Sequence, residues 1–359
     1  MKKYKVGIIG ATGTVGQRFL SLLDKHPWFE VTALAASSRS AGKTFGEAVA
    51  GRWCMPAPLS ESVRDIVVFD ATAEVGRIAD SADFVFSALD MNKGDVKALE
   101  EALVKAECPV ISNNSANRGV PDVPMIIPEV NPEHMDIIGH QRKRLGTKRG
   151  FIAVKPNCSI QSYVPALHPL KDTFGLTRAL VCTYQAISGA GKTFDTWPEM
   201  VDNVIPFISG EEEKSEREPL IVWGKLQDGG IFPAENISIT SQCLRVPVVD
   251  GHMAAVFMSF DKKPDIAEIK DIWQQYKGIS QELELPSAPK QFLHYFEEND
   301  RPQTKLDREL EGGMAVSLGR LRADSQYDYK FIGLSHNTLR GAAGGAVLMA
   351  ELLCAKGYI

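Results

Sequence analysis

No run of consecutive apolar residues approaches the ~18 that a membrane-spanning helix needs. The N-terminus, Met1-Lys-Lys-Tyr-Lys-Val, is basic but has no small-residue cleavage site, so its apolar stretch reads as a strand and not as a signal peptide. Cysteine is sparse: six in 359 residues, at 54, 108, 158, 182, 243 and 354. No two lie within four positions of each other, which argues against a zinc ribbon or a CxxC redox pair, and no metal is expected. Scattered thiols fit a reducing cytoplasm. Basic charge is not in excess either. Lys plus Arg is 40 and Asp plus Glu 45, a net −5, which argues against a dedicated nucleic-acid binder. No internal repeat or low-complexity tract is present. What remains is 44% hydrophobic and 24% charged residues, an ordinary globular composition. The length suggests about two domains.

The first third alternates short apolar runs with helical patterns. Strands are expected over 4–9, 31–36, 66–69, 84–87 and 109–112, and helices over 13–25 and 95–105. Such alternation implies βαβ units and a doubly wound parallel sheet of Rossmann type. The basic stretch 141–149 reads as a solvated helix end and loop. After about Gly150 come longer alternating strands, 179–187, 237–249 and 253–260, which suggest an antiparallel or mixed sheet with one covered face. Helices are expected over 265–276 and 339–355.

Gly7-Ile-Ile-Gly10-Ala-Thr12-Gly13-Thr14-Val15-Gly16 follows the first strand and opens the first helix. Glycines there permit a tight turn and close approach to a pyrophosphate, which would rest on the free N–H groups of the helix. A plain βα turn is the competing reading; strand before and helix after favour the nucleotide. An NAD site would place Asp or Glu at the end of the second strand. That strand runs instead into Ser37-Ser38-Arg39-Ser40, whose hydroxyls and guanidinium suit a 2′-phosphate and hence NADP.

Lys155-Pro156-Asn157-Cys158-Ser159 lies where the pattern switches, ahead of a helix expected over 159–170. A thiol at a helix N-terminus has a lowered pKa and a nucleophilic thiolate. The other five cysteines carry no such context and read as buried or inert. A thiolate near a nicotinamide suggests thiohemiacetal and thioester chemistry, with a base to move protons. Of seven histidines, His252, just after Asp250-Gly251 at a strand start, is the modest favourite for that base. His134, His140 and His294 read as surface helix positions, His26 as a turn residue, His168 as core and His336 as a loop residue.

Eight ordered stretches together make a more specific signal. They are 7–16, 38–43, 113–118 (Asn-Asn-Ser-Ala-Asn-Arg), 156–159, 185–191 (Gln-Ala-Ile-Ser-Gly-Ala-Gly), 210–214 (Gly-Glu-Glu-Glu-Lys), 245–252 and 337–344. On these the chain resembles the aspartate-β-semialdehyde dehydrogenases, in particular the archaeal and fungal branch, over essentially its whole length. The resemblance implies NADPH-dependent reduction of L-aspartyl 4-phosphate to the semialdehyde through a Cys158 thioester, in threonine, methionine and lysine biosynthesis. It implies Cys158 as nucleophile, His252 as general acid/base and Gln185 as the residue that orients the acyl group. Arg245 would bind the carboxylate and Glu211 the ammonium. Lys214, Arg118, Asn114, Ser115 and Asn157 would hold the phosphate. The cofactor would meet Gly10, Thr12, Gly13, Thr14, Val15, Gly16, Ser37, Ser38, Arg39, Ser40, Ser87, Ser188, Gly189 and Asn337. Taken without the resemblance, Glu211-Glu-Glu-Lys214 is a charged helix start and Gln185 a strand polar residue. The resemblance also divides the chain into an NADP-binding domain, 1–157 and 336–359, and an α+β catalytic and dimerisation domain with a mixed sheet, 158–335. It implies a homodimer or homotetramer. Trp197, Trp223 and Met200 are expected in core or subunit packing, not against a base. Asp90, in Ser87-Ala-Leu-Asp90, departs from some relatives.

Two readings compete. A malonyl-CoA reductase, or another acyl reductase on the same scaffold, would also use a cysteine and NADPH, but would leave Glu211 without a cation. A nucleotide-binding regulator without catalysis would not need Cys158, Gln185, Arg245 and His252 together.

Overall fold

The computed structural model describes residues 3–359. Six strands form a first sheet: β1 (Tyr4–Ile9), β2 (Phe29–Ala36), β3 (Phe69–Asp70), β4 (Phe84–Ser87), β5 (Val110–Ser112) and β6 (Ile152–Val154). Every pairing is parallel, in the order β3-β2-β1-β4-β5-β6. This is the doubly wound order, with its switch point between β1 and β4. Val6, Ile8, Ile9, Phe84, Val85 and Phe86 are fully buried. Burial on both faces is why these runs are continuously apolar and do not alternate.

The helix Thr14–Leu23 turns Phe19, Leu20 and Leu23 inward. It packs against the last helix, Ala343–Ala355, which is buried along its length up to Cys354. The chain thus returns from the second sheet to complete the first. The basic stretch lies on the helix Ile138–Leu145, which Gly146 ends at φ +71°. Glu107 then accepts the backbone N–H groups of Lys148, Arg149 and Gly150 at 2.6–3.0 Å. Arg142 lies over the Phe151 ring, and Arg144 pairs with Asp122 at 2.5 Å. The stretch is therefore a solvated helix end fastened to the first sheet.

The second sheet is mixed. Its strands are β7 (Leu176–Gln185), β10 (Ser238–Arg245), β11 (His252–Phe260), β12 (Leu293–Phe296), β13 (Val316–Ala323) and β14 (Tyr329–Ser335), in the order β10-β7-β11-β14-β13-β12. A short hairpin of β8 (Lys225–Gln227) and β9 (Gly230–Phe232) lies apart. Alternate residues of β7 and β11 are buried. The inner face is covered by the helices Val164–Phe174 and Ile266–Gln275, and buried Trp273 donates to the Ala166 carbonyl at 2.8 Å. The opposite face leaves Leu180, Cys182, Tyr184, Met253, Ala255 and Phe257 half-buried.

Several elements differ from the sequence expectation, among them the strand expected over 66–69, which is only Phe69–Asp70. The helix expected over 159–170 is a 3₁₀ turn, Ser159–Ser162, and then a separate helix from Val164. Tyr163 at φ −139° breaks the path, and Pro165, which lacks an N–H, sits in the new first turn. The strand expected over 237–249 ends at Arg245, two residues before Pro247. The last helix starts at Ala343 and not at 339, because Asn337 to Ala342 form tight turns.

Candidate active site

The glycine turn sits at the switch point. Gly10 has φ +84°, and a Cβ on it would lie 2.3 Å from the Ala88 carbonyl oxygen of the loop after β4. A Cβ on Gly16 would lie 2.3 Å from the Gly10 oxygen, so this glycine lets helix and strand pack closely. Gly13 differs. It is exposed, caps the helix without a side-chain bond, and meets nothing nearer than 3.5 Å. One glycine for the turn, one open for approach and one for packing is the pattern a dinucleotide cradle requires. The N–H groups of Thr14, Val15 and Gly16 start the helix beside Thr12 and have no intrahelical partner. Ser37, Ser38 and Arg39 are exposed after β2, and Ser40 is buried. At the end of β4, Ser87 is buried and accepts from Asn114 Nδ2 at 2.9 Å.

The nucleophile loop is fixed from several sides. Asn157 Oδ1 accepts the backbone N–H and hydroxyl of Ser159, both at 2.7 Å. Asn157 Nδ2 donates to both oxygens of Glu211, at 3.1 and 2.9 Å. Glu211 opens the helix Glu211–Val222, and also accepts from Lys214 Nζ at 2.7 Å and Gln185 Nε2 at 3.3 Å. Burial works to raise the Glu211 pKa, but Lys214 and these hydrogen bonds outweigh it and hold the carboxylate below its usual range.

The lowered pKa expected of Cys158 is not found. Its thiol is pushed up to about 11, first by burial and then by the Glu211 charge, against the pull of Arg118, Arg245 and Lys155. A four-residue 3₁₀ turn follows the cysteine in place of the expected long helix, so little helix dipole is there to oppose that rise.

The C-terminal ends of β7, β10 and β14 meet the start of β11 at one edge of the second sheet. Gln185 and Arg245 close β7 and β10 in register with each other. Arg245 Nη1 donates to the Ala186 carbonyl at 2.8 Å, and the Ala186 N–H donates to His252 Nδ1 at 3.1 Å. One peptide neighbour of Gln185 therefore orients both side chains. His252 is pushed down to about 3, by burial and then by the Arg245 guanidinium, so its ring is neutral. With Nδ1 accepting, the proton sits on Nε2, as this hydrogen-bond pattern assigns it. That Nε2 is buried and has no partner in the protein. Gly189 lies over both groups. A Cβ there would come within 2.9 Å of Arg245 Nη1 and 3.0 Å of His252 Cε1.

Asn337 joins the two halves of the site. Its Oδ1 accepts the Gly251 N–H and its Nδ2 donates to Ser188 Oγ, both at 2.8 Å. One N–H and one lone pair of the amide are left for a ligand. A small pocket of 160 Å³ opens beside Glu218, lined also by the cations Lys93, Arg118, Lys214 and Arg217, by Ser115 and by a second carboxylate, Glu213.

Hydrogen bonds connect Asn157, Gln185, Glu211 and Lys214, and Arg245 with His252 through Ala186, while Ser37 to Ser40 lie apart after β2. Sequence reasoning missed three residues that touch the site. Glu218 accepts from Arg118 Nη1 and from the Asn157 N–H. It lies seven residues after Glu211 on one helix, two turns along the same face, and that spacing was readable. Glu100 accepts from Ser112, Asn114 and Asn117, and so anchors the Asn113–Arg118 loop from below. Lys155, fully buried, is held well below the usual amine range by burial and by Arg340 and Arg118. No short-range sequence signal marks the last two.

Among the histidines, His134 is not at the surface. Its 3₁₀ segment, Pro132–Ile137, turns it inward, where Nδ1 meets Asn131 and Nε2 the Gly224 carbonyl. His294 lies on β12 and not on a helix. His140 is exposed on its helix, as expected. Met200 and Trp223 are buried and Trp197 half-buried. Among the described residues, no three His, Cys, Asp or Glu cluster as they would around a metal ion, and no helix is long and apolar enough to cross a membrane.

Comparison with known proteins bears on this geometry. Residues 5–138 match the family model "Semialdehyde dehydrogenase, NAD binding domain", and residues 167–340 match "Semialdehyde dehydrogenase, dimerisation domain". The chain is 45% identical over 351 residues to the aspartate-semialdehyde dehydrogenase of Methanothermobacter thermautotrophicus, covering 97% of this chain and 98% of that one. It is 42% identical over 365 residues to that of Aspergillus fumigatus, covering 99% of each. Among solved structures, aspartate semialdehyde dehydrogenase with NADP from Candida albicans superposes with a TM-score of 0.90 at 40% identity, covering both chains fully. Aspartate semialdehyde dehydrogenase II of Vibrio cholerae, complexed with ASA, gives 0.74 at 26% identity, again over both whole chains.

Proposed function

The chain belongs to the aspartate-semialdehyde dehydrogenase family, and from that membership we propose how its own residues carry the reaction. The protein is an NADP-dependent oxidoreductase. It reduces L-aspartyl 4-phosphate to L-aspartate 4-semialdehyde and phosphate, a step in threonine, methionine and lysine biosynthesis.

The observation that carries this reading is the environment of Glu211. A buried carboxylate, kept ionised, stands between the nucleophile loop and the Gln185–Arg245 edge. An α-ammonium is the group that meets such a charge, and the neighbouring Arg245 guanidinium suits an α-carboxylate. Glu211 already pairs with Lys214; an α-ammonium would share that carboxylate, and a thioester substrate without an amine would make no use of it.

In the resting site the thiol is protonated. An ammonium brought to Glu211 cancels part of the charge that raises the Cys158 pKa, so substrate binding itself favours the thiolate. The sulfur bonds to the acyl carbon, the carbon–oxygen bond to phosphate breaks, and phosphate departs toward Arg118, Ser115 and Lys214, with Asn114 and Asn157 holding the two loops. NADPH, when bound, would supply the hydride that turns the thioester into the aldehyde and frees the Cys158 thiolate. The His252 Nε2–H faces the reaction as a donor, to the acyl oxygen or the leaving group. It accepts a proton only when Nδ1 gives up the Ala186 N–H. Gln185 holds Glu211 and orients the acyl intermediate.

The glycine cradle at 10–16 fits the pyrophosphate, with Thr12, Thr14 and Val15 around it. Ser37 to Ser40 fit a 2′-phosphate. Ser87, Ser188, Gly189 and Asn337 would meet the nicotinamide end. Residues 1–157 with 336–359 act as the cofactor domain and 158–335 as the catalytic and dimerisation domain, in keeping with the two sheets and the returning last helix. The half-buried apolar face of β7 and β11 suits the interface of a homodimer, which a homotetramer would double. All six cysteines are free, which suits work in the cytoplasm.

The test is oxidation in reverse. The purified protein reduces NADP with aspartate semialdehyde only when phosphate or arsenate is present. NADP reduction independent of phosphate, or none at all, overturns the reading.

A further inference from the structure

Glu218 stands where two loops meet. It is 5% exposed on the helix Glu211–Val222. Its Oε1 accepts from Arg118 Nη1 at 2.9 Å, and its Oε2 accepts the Asn157 N–H at 2.5 Å. Arg118 ends the loop that begins at Asn113, and its Nη2 returns to the Asn113 carbonyl at 3.1 Å. Asn157 immediately precedes the nucleophile. One carboxylate therefore grips the guanidinium on one side and the Cys158 loop on the other.

The position is unfavourable for a group of this charge. Glu218 lines the pocket that Ser115, Arg118 and Lys214 make attractive to an anion. A bare carboxylate there would repel phosphate. Its charge is tolerated because both oxygens are engaged. With Nη1 held by Glu218 and Nη2 by Asn113, the plane of the Arg118 guanidinium is fixed, and Nε lies buried with no protein partner. A guanidinium recognises phosphate through the direction of its N–H groups, so fixing its plane fixes where the phosphate sits.

We propose that Glu218 is a positioning residue for the phosphoryl group: through Arg118 it sets the phosphate, and through the Asn157 N–H it sets the sulfur relative to that phosphate. The proposal rests on the reaction given above. Glu218 touches neither substrate nor sulfur; it acts through the two groups it holds.

The experiment reads the Michaelis constant for inorganic phosphate in the oxidative direction, with aspartate semialdehyde and NADP saturating. Glu218→Gln keeps the shape but cannot accept from both donors. Loss of one charge-assisted bond predicts a rise of about tenfold in the phosphate constant. The constants for aspartate semialdehyde and NADP stay within about twofold, since neither is bound through Arg118. A residue that merely supported the fold would move all three together. In an Arg118→Ala background, Glu218→Gln adds no further change to the phosphate constant, because the group through which it sets the phosphate is gone; its hold on the Asn157 N–H then shows in kcat alone. If the glutamine variant does not fold, Glu218→Asp carries the test: it keeps the charge, loses reach, and predicts the same phosphate-selective rise. An unchanged phosphate constant in a folded variant, equal changes for all three substrates, or additive effects with Arg118→Ala overturn the proposal. A parent protein whose NADP reduction needs no phosphate overturns the reaction itself, and Glu218's role with it. A phosphate-dependent parent with an indifferent Glu218 variant overturns the role of Glu218 alone.

Discussion

Gly341 lies directly against Cys158. A Cβ built on it would come within 2.8 Å of the Cys158 Cβ and 2.4 Å of the Asn337 carbonyl oxygen. Neither neighbour is the free end of a long side chain, so neither yields cheaply.

Gly341→Ala therefore displaces the nucleophile. Overpacking of this kind costs roughly 1–3 kcal/mol of stability, and misplacing a reacting group by about 1 Å costs roughly 10²-fold in rate. The expected result is a kcat about 10²-fold lower, with thermal melting lowered by a few degrees. Steady-state kinetics beside a melting curve checks it, and a parent-like kcat removes the steric argument.

The Cys158 thiol, at about 11, is protonated at neutral pH. The thiolate fraction then grows with pH, so iodoacetamide labelling of the free protein quickens about tenfold per pH unit between pH 7 and 9. A rate that levels off near pH 7 would mean a lowered pKa. Because the Glu211 charge raises this pKa, Glu211→Gln lowers it and speeds labelling at pH 8. Slower labelling in that variant contradicts the sign.

His252 offers an N–H to the site, so a side chain that still donates retains part of its effect. His252→Ala slows turnover by roughly 10²–10⁴. His252→Gln, which keeps a donor, loses less than the alanine variant. Equal losses in the two variants would show that proton transfer, not donation, is what His252 supplies.

Arg39 is exposed beside Ser37 and Ser38, with no carboxylate at the end of β2. Arg39→Ala raises the Michaelis constant for NADP roughly tenfold, as loss of a charge-assisted phosphate bond predicts. The constant for NAD changes little. Parallel changes for both cofactors remove Arg39 from 2′-phosphate recognition.

The legible parts of this protein were those that local rules govern. The first sheet shows in buried apolar runs, and the roles of Gly10, Gly13 and Gly16 follow from their spacing. Residues such as Gln185, Glu211 and Arg245 carry no local mark. They gain meaning when β7, β10 and the Glu211 helix meet, and the resemblance to a known family supplied them in advance. The Cys158 pKa does not follow from its neighbours in sequence, because burial and the distant Glu211 charge raise it and the helix expected after it breaks at Tyr163. His134 was misplaced because a 3₁₀ segment does not follow the 3.6-residue period. Glu218 was overlooked although its spacing from Glu211 placed it on the same face.

The helix Ala343–Ala355 also constrains how this molecule is made. It closes one side of the first sheet, yet it leaves the ribosome after every strand of both sheets. Until then Phe19, Leu20 and Leu23 have no cover from it. The nucleotide-binding half, although translated first, cannot be completed until the last helix arrives, and an apolar surface left open on the nascent chain is what a chaperone would meet in the interval.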